Sequence, residues 1–186
     1  DGGGLWKLTF KDAQNPLLGA KLEMLLNGGE APYLSKPDNM TITKDGVIIL
    51  QEDPGNNAHV SRIVAYQIST GKLAVIAEFD KQYFSSTGAN YMTQDEESSG
   101  IIDATSLIAK EGDTNTYFFF NAQVHPYEVG VLNAEVPLAK TVTKMRPDLD
   151  FPTDQSAIDF KTKVIEGGQI YRLDITDWTK LAWKAA

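Results

Sequence analysis

Acidic and amide side chains stand where short apolar runs begin and end, and their types suit the holding of a hard cation. Asp38 and Asn39 open one run, Glu52 and Asp53 close the next, and Glu96 and Glu97, with Ser98 and Ser99, open a third. Gln123 and His125 close a fourth, Glu166 opens a fifth, and Asp1 holds the matching place at the start of the chain. Carboxylates brought together repel one another and stay ionised only with cations among them. Oxygen-rich sets are what Ca2+ takes, with about six to eight ligands in a flexible shell. Other chemistries lack their parts. The absence of cysteine removes disulfides, thiolate zinc sites and cysteine nucleophiles. Two histidines cannot build a histidine-rich metal site. No Gly-rich loop leads into Lys-Ser/Thr, and neither Gly-x-Ser-x-Gly nor His-Glu-x-x-His occurs. Gly2-Gly3-Gly4 precedes a strand pattern, so it does not cradle phosphate at a helix start.

Whether those residues meet depends on the elements that carry them. Leu5 to Phe10, Lys21 to Leu26, Met40 to Thr43, Val47 to Leu50, Arg62 to Ile68, Leu73 to Phe79, Tyr117 to Phe120 and Gln169 to Ile175 read as strands, and Leu181 to Trp183 as a last one. Lys44-Asp45-Gly46 supplies a tight hairpin turn, and Ser69 to Lys72 another. Val47 to Leu50 is continuously apolar, which predicts a strand buried on both faces. Helical signals are weak: a short helix from Thr153 to about Lys163, and a single turn within Asp103 to Ile108. Asp80 to Gln94 and Val136 to Pro152 read as long surface excursions.

The strands repeat. Asp1 to Leu8 aligns with Glu166 to Leu173, each followed by a second strand, and Ser61 to Phe79 has the same two-strand form. Pairs at Pro37 to Asp53 and Glu97 to Pro126 precede two of these units. The chain therefore reads as about two and a half four-stranded antiparallel units: a half unit over 1–30, a unit over 37–80, and a unit over 97–186 with a long insertion at 127–165. Such units predict an all-β fold of β-propeller blades, with one or two short helices in the insertions. A twisted antiparallel sheet or sandwich is the alternative. In a meander the start of the first strand, the end of the second and the start of the third share one end, so the polar residues above collect at one mouth. A ring needs at least about four blades. The missing blades are therefore expected on another chain or segment, or through self-assembly.

Composition narrows the partners. The 186 residues hold 17 Lys+Arg against 25 Asp+Glu, for a net charge of −8. That balance argues against a nucleic-acid partner, which needs a basic face. It leaves phosphate esters open, because bound cations invert a local field. No run approaches the roughly 18 apolar residues of a spanning helix.

Pro37-Asp38-Asn39-Met40, Ile49-Leu50-Gln51-Glu52-Asp53, Glu97-Ser98-Ser99-Gly100-Ile101-Ile102-Asp103, Asn121 to Pro126 and Glu166-Gly167-Gly168-Gln169 follow one another in this order. Over roughly residues 1 to 175 the set resembles the PhoX-type bacterial alkaline phosphatases and their phytase-like relatives, with Glu97 to Asp103 as the most specific stretch. The resemblance implies a six-bladed propeller exported to the periplasm, cell surface or medium, which hydrolyses phosphomonoesters with calcium, or calcium and iron, in its funnel. It implies Glu52 and Glu97 as metal ligands. Asp38, Asn39 and Asp53 either bind the metal or brace its ligands, and Glu96, Ser98, Gln123, His125 and Glu166 stand around them. The iron-binding relatives use a cysteine that this chain lacks, so calcium is the expected ion and Fe3+ the secondary one. The alternatives are a non-catalytic calcium-stabilised propeller, serving binding or surface assembly, and another calcium-dependent hydrolytic propeller such as a lactonase.

Overall fold

Alternating side chains and glycine-assisted turns give ten strands in the computed structural model, which describes residues 3–53, 59–91, 93–124 and 167–185. The strands are β1 (Leu5–Phe10), β2 (Ala20–Leu26), β3 (Pro37–Ile42), β4 (Val47–Glu52), β5 (Arg62–Gln67), β6 (Lys72–Glu78), β7 (Glu96–Asp103), β8 (Thr116–Val124), β9 (Gly167–Ile175) and β10 (Lys184–Ala185). Two single-turn helices, α1 (Lys81–Phe84) and α2 (Thr105–Ile108), sit between them. Every pairing is antiparallel. The strands form a β1-β2 hairpin, a five-stranded sheet β10-β6-β5-β4-β3 and a three-stranded sheet β7-β8-β9, none of them closed. The fold is all-β, as expected. Among the described residues no helix is long and apolar enough to cross a membrane.

The five-stranded sheet is the middle layer. On β4, Ile48 and Leu50 point to one side and Val47 and Ile49 to the other; on β5, Val64 and Tyr66 oppose Ile63 and Ala65. One side packs on Leu5 and Leu26 of the hairpin, the other on Ile101, Phe118 and Ile175 of the three-stranded sheet. All six residues of β4 are buried. This is why its sequence shows no polar alternation. The β3–β4 turn closes on Gly46, whose φ of 78° suits glycine, with the Thr43 N–H donating to the Val47 carbonyl at 2.9 Å.

One expectation changes. The last strand is Lys184–Ala185, not Leu181 to Trp183, and it joins the edge of β6 and not the sheet of β9. Leu181 instead caps a 3-10 turn at Trp178–Lys180, and the Trp183 indole donates to the Trp178 carbonyl at 2.8 Å. The Asp80 to Gln94 excursion opens with α1, because Asp80 accepts the Gln82 N–H at 2.8 Å and so caps a helical turn. The expected turn within Asp103 to Ile108 is α2. The helix expected from Thr153 and the insertion at 127–165 lie outside the described residues.

Candidate metal centre

Backbone irregularities aim the first carboxylate. The β3–β4 register runs Pro37 against Glu52 and then Asn39 against Gln51, so Asp38 is the extra residue of a bulge. A bulge turns its side chain out of the regular pleat. Asn39 steadies it, its amide donating to Asp38 Oδ1 at 2.6 Å. Asp53, just past β4, is held by its N–H donating to the Lys36 carbonyl at 3.0 Å, which carries the β3–β4 pairing one step further. Glu97 comes from β7, which packs across β3 and β4, and pairs in register with Gln123. A second bulge, at Gly100 with φ 62°, lets β7 seat Ile101 in the core and keep Glu97 at the strand start.

The result is one group of three carboxylates, Asp38, Asp53 and Glu97, with one oxygen of each within 4.8 Å of the others. Asp38 is exposed and the other two are partly buried. Oxygens about 2.3–2.6 Å from a Ca2+ lie at most roughly 5 Å apart across its shell. The three carboxylates therefore fit that ion in both spacing and hardness. Two sheets contribute, since Asp38 and Asp53 belong to the middle one and Glu97 to the three-stranded one.

Glu52 goes elsewhere. It is fully buried, and both oxygens are engaged. Oε1 accepts from the Ser35 N–H at 2.8 Å and Arg62 Nη2 at 2.7 Å. Oε2 accepts from Arg62 Nε at 2.9 Å and the Arg62 N–H at 3.1 Å, and meets His59 Nε2 at 3.1 Å. Arg62 also donates to the Pro32 and Tyr33 carbonyls at 3.0 and 2.7 Å, so the pair clamps the loop leading into β3. By sequence Arg62 is only the start of a strand and His59 an exposed loop residue, whereas in the structure His59 is half-buried against Glu52. The signal was the β4–β5 pairing, which runs Gln51 against Ile63 and so brings Arg62 level with Glu52.

Behind the carboxylate group lies a buried polar seam between the middle and three-stranded sheets. Ser61 donates its N–H to Glu96 Oε1 at 2.9 Å and its hydroxyl to the Glu52 carbonyl at 2.7 Å. Gln51 Oε1 accepts the Ile101 N–H at 3.0 Å. Glu96 Oε2, Gln51 Nε2 and Ser98 Oγ are buried with no hydrogen-bond partner among the described residues. Burial pushes the Glu96 carboxyl up to about 7, against partial relief from the Ser61 N–H, with the nearby Asp95 charge adding to the rise.

A raised acid binds its proton more tightly in the folded than in the unfolded chain. Its contribution to stability is therefore complete below the ordinary value of 4.5 and falls until the pH passes about 7. Urea unfolding in chelator should show a loss on the order of 3 kcal/mol across that window. Glu96→Gln should flatten the slope there, and an unchanged slope would assign it to other groups.

Of the expected site residues, the structure brings Asp38, Asp53 and Glu97 together, with Asn39 beside them. It sends Glu52 to Arg62 and sets Glu96 and Ser98 in the seam. Gln123 stands opposite Glu97 on β8. His125 and Glu166 lie outside the described residues. No family model, curated protein or solved structure matches the chain.

Proposed function

We propose that this chain is part of a calcium-dependent phosphomonoesterase of propeller build, its cation held by Asp38, Asp53 and Glu97. The observation that carries the reading is the meeting of those three carboxylates, from two sheets, within 4.8 Å. The packing of three sheets, with β7 across β3 and β4, supports the propeller part of the reading, since successive blades also stack face to face. The phosphate-ester chemistry rests on the likeness of Glu97 to Asp103, Pro37 to Met40 and Ile49 to Asp53 to the PhoX-type phosphatases. A bound calcium supplies positive charge for the phosphoryl oxygens and for the charge that develops as the ester breaks. The protein holds three carboxylates at the ion, with Asn39 fixing Asp38. Calcium is the safer ion than iron, since no thiol is present to bind iron. Extracellular calcium sites work at high ion concentrations, so the proposal also places the protein at the cell surface, in the periplasm or in the medium.

The test is hydrolysis of a chromogenic phosphomonoester with and without thorough chelation. The expected result is turnover that chelation abolishes, calcium restores and Glu97→Gln removes with the fold intact. Turnover indifferent to chelation refutes the proposal. A second reading is favoured by the origin of the ligands in two sheets: an ion there also fastens one sheet to the other, as in a non-catalytic binding or assembly module. On that reading Glu97→Gln lowers the melting temperature and there is no hydrolysis to lose.

A further inference from the structure

The hairpin carries an apolar face that no described residue covers. On β1, Trp6, Leu8 and Phe10 share one side; on β2, Ala20, Leu22 and Met24 stand opposite them in register. The large residues of this face are 43–60% exposed, Trp6 at 55% and Leu22 at 60% among them. Leu17 and Leu18, in the turn that joins the strands, are exposed at 95% and 54%. Together they present on the order of 700 Å² of apolar surface, above the roughly 300–600 Å² of the largest patch on an ordinary monomer. That area matches the roughly 800 Å² that each partner buries in a stable complex.

We infer that this face is the contact between two copies of the chain, hairpin against hairpin about a twofold axis. Three observations select that occupant. The strand positions that form the face carry no charge, so two copies can meet there despite a net charge of −8 each. The basic residues of β1 and β2, Lys7 and Lys21, lie on the opposite side of the hairpin and both pair with Glu23 at 3.1 and 2.8 Å, which leaves Lys11 at the turn, short of the basic cluster a lipid surface needs. The face is apolar at period two on both strands, the pattern that packs on a like sheet at about 10 Å. An isologous contact uses the same patch on both copies and closes at two.

Sedimentation and light scattering of the full chain, from sub-micromolar to several hundred micromolar, test the inference. The expected result is a reversible monomer–dimer equilibrium. Leu22→Lys and Leu8→Glu, both at exposed positions and checked for folding by circular dichroism, should each weaken it at least ~10-fold. Ile170→Lys, at an exposed position on the three-stranded sheet, should leave it unchanged. A monomer at every concentration overturns the inference. So does a dimer that survives Leu22→Lys, or a monomer that sediments with phosphatidylserine–phosphatidylcholine vesicles. None of these outcomes depends on calcium or on phosphate-ester hydrolysis.

Discussion

Calcium added to the chelated protein raises its melting temperature by roughly 5–10 °C at a hundredfold excess over the dissociation constant, the shift that mass action gives a chain of this size. The reason lies in the charges. Three carboxylates within 4.8 Å of one another repel, and a cation among them turns that repulsion into attraction. Replacing one of them has opposite effects in the two conditions. Asp53→Asn or Glu97→Gln removes a ligand, so the calcium-dependent rise shrinks or disappears. In chelator Asp53→Asn relieves repulsion, so that variant melts at or above the wild-type temperature. Mg2+ reproduces the rise poorly, because it demands a tighter octahedral shell at about 2.0–2.1 Å and gives up its water reluctantly. Differential scanning calorimetry across the variants and ions reads all of this. A full rise that survives in every variant places the ion away from these residues.

Arg62→Met costs about 3–5 kcal/mol in urea unfolding, the cost of stranding a buried charge. Arg62 gives Glu52 three of its contacts, from Nε, Nη2 and the backbone N–H, and only the backbone one outlasts the substitution. His59 and the Ser35 N–H remain, but they do not replace a two-pronged guanidinium. Removing both charges, in Glu52→Leu with Arg62→Met, costs less than Arg62→Met alone, since no unpaired ion is left inside. The residual cost comes from the N–H groups of Ser35 and of residue 62 and from the Pro32 and Tyr33 carbonyls, which lose their partners. Strict additivity of the two single changes would show that the pair is not coupled as its geometry requires.

Strand identity was open to reading because it is a local property. Val47 to Leu50 announced a doubly covered strand, and Lys44-Asp45-Gly46 its turn, from the residues alone. The gathering of Asp38, Asp53 and Glu97 was legible for a related reason: meander geometry puts strand starts and ends together whatever the loops do. What each carboxylate meets was not legible. Glu52 and Asp53 are neighbours in sequence, yet one is clamped by Arg62 and the other joins the acidic group. Register across β4 and β5 and the bulge at Asp38 decide this, and neither leaves a compositional trace. The move of the last strand was hidden too. Two residues, Lys184 and Ala185, show no period, and only the exposed edge of β6 selects them.

The burial of β4 on both faces also divides the molecule by how it opens. Amide groups of β4 and β5 lie beneath a covered layer on either side, so their protons exchange with solvent only when the whole assembly of sheets comes apart. The β1-β2 hairpin is anchored chiefly through Leu5 and Leu26 near one end. In a single copy its far half should fray on its own, at a small fraction of the global free energy. The chain thus has a slow centre and a fast arm, and a partner reaching the hairpin acts on the arm without disturbing the centre.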